Sequence, residues 1–226
     1  MNKSFFEQIQ EAADYLSLDL TAQEMAQLAV DHEYSEENIR IVAEMFTYLQ
    51  QKKKENIVST FLRLSRLPLK EPKTFESFYF GQLHGKQTDA LRNLPSLSAL
   101  YAHKNLAFIG PQGVGKTQLA MAYGRKCCQS GLKAYFLKAT ELNQRLTDAR
   151  KYGRENGLVK PSCLIIDEIG RCVFYKENTR MFFDVIDRIF DEATVFMIKG
   201  NSYRGKNCET IALSPGAPSA LPKTQH

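Results

Sequence analysis

The sequence predicts an α/β protein, a parallel sheet flanked by helices behind an N-terminal all-helical domain, on three observations. First, Gly110-Pro111-Gln112-Gly113-Val114-Gly115-Lys116-Thr117 spells a G-x-x-x-x-G-K-[ST] phosphate loop between an apolar run, 106–109, and a segment with Leu119, Ala120, Tyr123 and Cys127 at helical spacing. Second, the β-branched run Leu164-Ile165-Ile166 ends in Asp167-Glu168, which puts two carboxylates at the C-terminal end of a buried strand. Third, residues 1–72 carry helix-start signals and helical periodicity instead of strand alternation.

The elements follow in order. Ser4-x-x-Glu7 and Thr21-x-x-Glu24 are capping-box patterns, and Ser35 is the N-cap expected for a helix over 36–53, where Ile39, Val42, Met45, Phe46 and Leu49 read as one apolar stripe. A further helix is expected through Ile57, Phe61, Leu62 and Arg66, until Pro68 and Pro72 break it. Residues 1–72 are thus read as a helical DNA-binding or oligomerisation domain, and 73–204 as the α/β core. In the lead-in, Phe75, Phe78 and Phe80 either pack against the core or stack on bases, and the packing role is the expectation. Leu91, Leu94 and Leu97 mark a connecting helix and turn. Ala134-Tyr135-Phe136 is a strand, followed by a helix capped by Thr140 with Leu142, Leu146 and Ala149 on its buried side. A helix over 179–190 and a last strand over 194–199 complete the core. Residues 205–226, punctuated by Pro215, Pro218 and Pro222, are expected to be a disordered tail.

Composition limits the setting. A chain of 226 residues can bury one sizeable core and a small satellite domain. It has no apolar run long enough to span a bilayer, and its N-terminus mixes acidic and apolar residues where a signal peptide would be basic, so a soluble cytoplasmic protein without membrane partners is expected. The five cysteines form no C-x-x-C pair, which argues against a zinc site or a disulfide framework. A net charge of +5 permits nucleic-acid binding without arguing for it.

The motif residues define a chemistry. Glycines where strand becomes helix let consecutive N–H groups turn toward phosphate oxygens, and the helix N-terminus adds partial positive charge. Gly110 to Gln118 would cradle the phosphates of ATP, with the Lys116 ammonium on the β- and γ-phosphates. Thr117 and Asp167 would hold Mg²⁺, and Glu168 would orient and deprotonate the attacking water. Two basic clusters, Lys52, Lys53, Lys54, Arg63 and Arg66, then Arg145, Arg150, Lys151 and Arg154, read either as solvated helix faces or as contacts to a DNA backbone independent of base sequence.

Together with the loop, the segments 134–142, Asp167-Glu168-Ile169-Gly170 and Gly200-Asn201-Ser202-Tyr203-Arg204 resemble the IstB-like ATPases, transposition helpers of the AAA+ class related to the DnaC helicase loaders. The resemblance covers roughly residues 74–204. It implies an ATP-dependent homo-oligomer that assembles on DNA, marks a target site and is stimulated by the transposase encoded by the same element. One departure stands out: only a loop and a helix fit between Glu168 and the last strand, and no Thr-Ser-Asn occurs in the chain, so the central strand that ends in the family's sensor residue is expected to be missing. Asp187-Arg188 is consistent with a deletion joining two family segments, which leaves Arg188 as either the arginine finger or an ordinary helix-end arginine. Arg204 is either a second nucleotide sensor or an exposed arginine. The rival readings are a nucleotide-binding remnant unable to hydrolyse ATP and a helicase loader of the DnaC type.

Overall fold

The computed structural model describes residues 3–84, 87–152, 161–171 and 193–200. The expected helix over 179–190 and the tail over 205–226 lie outside them, as do Arg154, Arg188 and Arg204.

Three helices come first: α1 (Phe5–Leu16), α2 (Ala22–Asp31) and α3 (Glu36–Leu64). Each starts as its sequence directs. Ser4 and Glu7 exchange side-chain and backbone hydrogen bonds, Thr21 and Glu24 do the same, and Ser35 pairs with Asn38. Small residues, Ala12, Ala13 and Ala43, let α1 and α3 approach closely around Ile9.

Two expectations for α3 are corrected. The segments over 36–53 and from Ile57 onward form one continuous helix, because nothing between Lys53 and Ile57 breaks it, and Arg66 falls beyond its end in a left-handed turn (φ 63°). The expected single apolar stripe is also two. Ala43 faces α1, whereas Met45 is 60% and Leu49 47% exposed on the opposite side.

The lead-in then runs through strand β1 (Leu83–His84), helices α4 (Thr88–Arg92) and α5 (Ser98–Tyr101) to the core. Phe75 and Phe78 are buried in the main hydrophobic cluster and Phe80 packs against it, so the packing role holds. The core follows as β2 (Leu106–Ile109), α6 (Lys116–Gln129), β3 (Ala134–Lys138), α7 (Ala139–Tyr152), β4 (Cys163–Asp167), β5 (Thr194–Met197) and β6 (Lys199–Gly200). The expected last strand is divided: residues 194–197 pair parallel with β2, while Lys199 and Gly200 pair antiparallel with His84 and Leu83.

The parallel strands fall into two pairs. In β2–β5, Leu106 lies opposite Thr194 and Ile109 opposite Met197; in β3–β4, Ala134 lies opposite Cys163 and Lys138 opposite Asp167. Among the described residues no ladder joins the two pairs. Residues 172–192, the segment in which the central strand is expected to be missing, lie outside the described residues. Helix α6 packs on β2, β3 and β4 and so spans both pairs. The end of α3 also reaches the sheet, where buried Ser65 accepts a hydrogen bond through its carbonyl oxygen from the Phe136 amide at 2.8 Å.

No helix among the described residues is long and apolar enough to cross a membrane. Cys127, Cys128 and Cys163 are unbridged.

Candidate nucleotide site

The loop from Gly110 to Gly115 leaves the C-terminal end of β2 and enters α6. Gly113 (φ 85°) and Gly115 (φ 91°) occupy left-handed backbone that a side chain would strain. Gly110 is required for another reason: a Cβ there would stand 2.3 Å from the backbone oxygen of Ile198, which crosses directly behind the loop. Val114 is the loop's apolar anchor, 1% exposed, while Pro111 and Gln112 lie at the surface. No side chain caps α6 at Gly115, which leaves its first N–H groups without a side-chain acceptor at the cap.

Lys116 lies across the loop and donates to the carbonyl oxygens of Gly110 (2.8 Å) and Pro111 (2.6 Å). Those are bonds that phosphate oxygens can replace. Thr117 and Asp167, fifty positions apart, meet: the Thr117 hydroxyl donates to the Asp167 carboxylate at 3.0 and 3.1 Å. Gln118 is turned away toward the lead-in, where its amide donates to the Ser77 carbonyl at 3.3 Å.

Glu168 leaves β4 through left-handed backbone (φ 59°), an uncommon conformation for a residue with a side chain. Its carboxylate pairs with the Lys138 ammonium at 3.1 Å. The parallel register explains the meeting, since Lys138 lies beside Asp167. Lys138 was not among the site residues read from the sequence. The signal that could have found it is its place as the last residue of the neighbouring parallel strand.

Thr117 Oγ1 and the Asp167 carboxylate are hard oxygen ligands within hydrogen-bond distance of each other, a donor set that suits Mg²⁺. Among the described residues no group of three or more His, Cys, Asp or Glu gathers elsewhere to hold a metal. Such an ion would therefore complete its shell with phosphate oxygens and water.

The basic candidates separate. Lys53 donates to the Tyr15 carbonyl at 2.8 Å near the end of α1, Lys54 lies 5.0 Å over the Tyr15 ring, and Lys52 pairs with Glu55. Arg63 is exposed on the last turn of α3. Arg66 grips Glu141 with both guanidinium nitrogens, which holds the arginine's pKa above its ordinary value, and it lies 5.9 Å over the Tyr135 ring. Arg145 was expected to face solvent or a ligand. Instead it is half-buried against Tyr135, donating to the phenol oxygen at 2.6 Å. The side chains of Arg150 and Lys151 lie outside the described set.

A phosphate loop at a strand–helix junction, with its threonine on a strand-end aspartate, defines a P-loop nucleotide-binding protein of the α/β class. The chain matches the IstB-like ATP binding protein family over residues 12–203 and belongs to it. It is 31% identical over 228 residues, covering 97% of this chain and 88% of the relative, to a Geobacillus stearothermophilus protein named for ATP binding in insertion sequence IS5376. A similarly named protein of IS232 from Bacillus thuringiensis subsp. berliner is 26% identical over 208 residues, covering 89% and 82%. The corresponding IS21 protein of Pseudomonas aeruginosa is 32% identical over 146 residues, covering 63% and 54%.

Proposed function

We propose that this chain binds MgATP and serves an insertion sequence as the DNA-associated ATPase helper of its transposase, acting as a homo-oligomer on DNA. The observation that carries the reading is the convergence of Lys116, Thr117 and Asp167: an ammonium across the loop mouth, and a hydroxyl and a carboxylate in direct contact behind it. Backbone N–H groups at the start of α6 and Lys116 would bind the phosphates. Thr117 and Asp167 would hold Mg²⁺, which when bound supplies charge neutralisation on the transferred phosphoryl group. Glu168 would accept the proton of the attacking water once its carboxylate is released from Lys138. The insertion-sequence relatives support a transposase as partner over a replicative helicase. Arg63 is the exposed cation of the first cluster offered to a DNA backbone, and Lys52 would have to leave Glu55 to join it; the binding would be electrostatic and salt-dependent.

A second reading, nucleotide binding without turnover, is supported by the lack of a Thr-Ser-Asn run in the sequence and by the two parallel pairs sharing no ladder among the described residues. The strand expected there would carry the residue that helps position water. Both readings share one test of the site and diverge in a second. Lys116→Ala should weaken MgATP binding at least about tenfold, or about 1.4 kcal/mol, by calorimetry; equal affinities would refute the site. Phosphate release by the wild type, with and without duplex DNA, then separates an ATPase from a binding remnant.

A further inference from the structure

Two cysteine side chains meet where α6 packs on β4, at the end of that contact away from the phosphate loop. The helix–strand packing sets their register. Gly124 lies under the Ile165 δ-methyl. One turn further along α6 comes Cys127, and two residues back on β4 comes Cys163; helix positions three apart and strand positions two apart share a face. Backbone bonds tie both to one short stretch of chain: the Leu132 amide donates to the Cys127 carbonyl at 2.9 Å, and the Cys163 amide to the Lys133 carbonyl at 3.0 Å. The two side chains pack in one apolar cluster, where the Cys127 thiol donates a hydrogen bond to the Cys163 sulfur. Cys128 lies against Ser65 instead.

Nothing in the nucleotide chemistry proposed above uses these sulfurs, and their surroundings differ. Cys127 is fully buried (0% exposed), and the bond to Cys163 together with burial pushes its thiol up. Cys163 is half-buried at the first position of β4, beside exposed Ser162, and accepting the bond from Cys127 holds its thiol down. The more accessible sulfur is therefore also the better thiolate, with the other directly behind it. This is the order of an attacking cysteine and a resolving one.

We propose that Cys163 is a peroxide-reactive thiol and Cys127 its resolving partner, and that the two form a reversible disulfide joining α6 to β4. The Cys163 thiolate attacks one oxygen of hydrogen peroxide. The O–O bond breaks, the sulfur becomes a sulfenic acid, and the departing hydroxide leaves as water with the proton the thiol has shed. The Cys127 sulfur then attacks the Cys163 sulfur, the S–O bond breaks, and the hydroxyl departs as a second water with the Cys127 proton. Two thiols are oxidised and one peroxide is reduced. The bond draws the sulfurs to about 2.05 Å and covalently links the helix that carries Thr117 to the strand that carries Asp167. It needs no nucleotide, so it stands or falls apart from the reading of the phosphate loop.

The test treats the reduced full chain with hydrogen peroxide in the absence of nucleotide. Peptide mapping without reductant should find Cys127 linked to Cys163, and dithiothreitol should return both to thiols. Because the bridge restrains the unfolded chain, the urea midpoint of the oxidised protein should rise by about 1 M. Cys128→Ala should form the same bridge. Cys127→Ala should leave Cys163 without a resolving partner, so that peroxide carries it on to the sulfinic acid, which dithiothreitol does not reverse. Cys163 remaining a free thiol, a bridge through Cys128, Cys172 or Cys208 in its place, or sulfinic acid at Cys163 forming as readily in the wild type as in Cys127→Ala would overturn the proposal.

Discussion

Replacing Gly110 with alanine tests whether the first loop glycine serves the nucleotide or the fold. Its added Cβ would stand 2.3 Å from the Ile198 carbonyl oxygen, and this neighbour is backbone, so no rotamer change relieves it. Carbon–oxygen contacts settle near 3.3–3.6 Å, which demands about 1 Å of displacement between the loop and the β5–β6 junction. That junction is fixed by the hydrogen bond from the Ile198 amide to the Ile109 carbonyl at 2.7 Å, and Ile198 is 2% exposed. Overpacking costs about 1–3 kcal/mol and a weakened hydrogen bond about 0.5–1.5 kcal/mol, together about 2–4 kcal/mol. With a urea slope of about 2–3 kcal/mol/M, the unfolding midpoint should fall by about 1 M. Gly170→Ala is the control, since nothing lies within 4 Å of its added Cβ. Equal midpoints for the two variants would refute the assignment of Gly110 to a close backbone crossing.

Glu168→Gln should retain MgATP affinity and, where the wild type turns over, abolish phosphate release, because an amide cannot take the water's proton; loss of binding instead would make Glu168 part of the cradle. Gly124→Ala puts a Cβ 2.4 Å from the Ile165 δ-methyl. The methyl can yield and alanine favours helix by about 1 kcal/mol, so thermal stability and Mg²⁺-dependent nucleotide affinity should both change little, and a loss of affinity by calorimetry would show that α6 moves instead of the methyl. Glu7 and Glu24 are held below their ordinary value of 4.5, chiefly by the backbone amides of Ser4 and Thr21. Their stabilising contribution should be complete above that value and vanish as pH falls through the lower folded one. Thermal unfolding of the wild type should therefore decline below pH 4.5 more steeply than that of the Glu7→Gln, Glu24→Gln double variant.

The loop, its flanking strand and helix, and the Asp-Glu strand were legible because local chemistry fixes them. Glycines, capping residues and apolar runs act within a few positions, and β2 spans the expected residues 106–109. What the sequence hid was set at long range. The ion pair of Lys138 with Glu168 depends on the register of strands separated by a helix. The crossing of Ile198 behind Gly110 depends on a return of the chain from beyond β4. In α3, periodicity could not separate the face turned to α1 from the face left open, because apolar residues occur on both sides. Arg66 and Arg145 illustrate the same limit: charge suggested a phosphate partner, yet both lie over Tyr135, brought there by the turn after Ser65 and by α7 packing on β3.

Among the described residues no ladder joins the loop strand to the Asp-Glu strand, and the contacts between them bear on the candidate site. Where a central strand would normally align the loop strand with the Asp-Glu strand by hydrogen bonds, the described contacts pass through α6 instead. Thr117 meets Asp167, Gly124 packs under Ile165, and the Cys127 thiol bonds that of Cys163. The order is reversed, so α6 runs antiparallel to β4. The lengths agree: ten helical residues rise about 15 Å, and four strand residues about 13 Å. Hydrogen bonding to Cys163 and burial push the Cys127 thiol up, and the same hydrogen bond holds Cys163 down. The separation of Thr117 from Asp167 is therefore governed by side-chain packing along one helix. Packing is less directional than a ladder, so the contact of Thr117 with Asp167 can tighten or open by small shifts of α6. Nucleotide affinity in this chain should accordingly respond to core substitutions beneath α6.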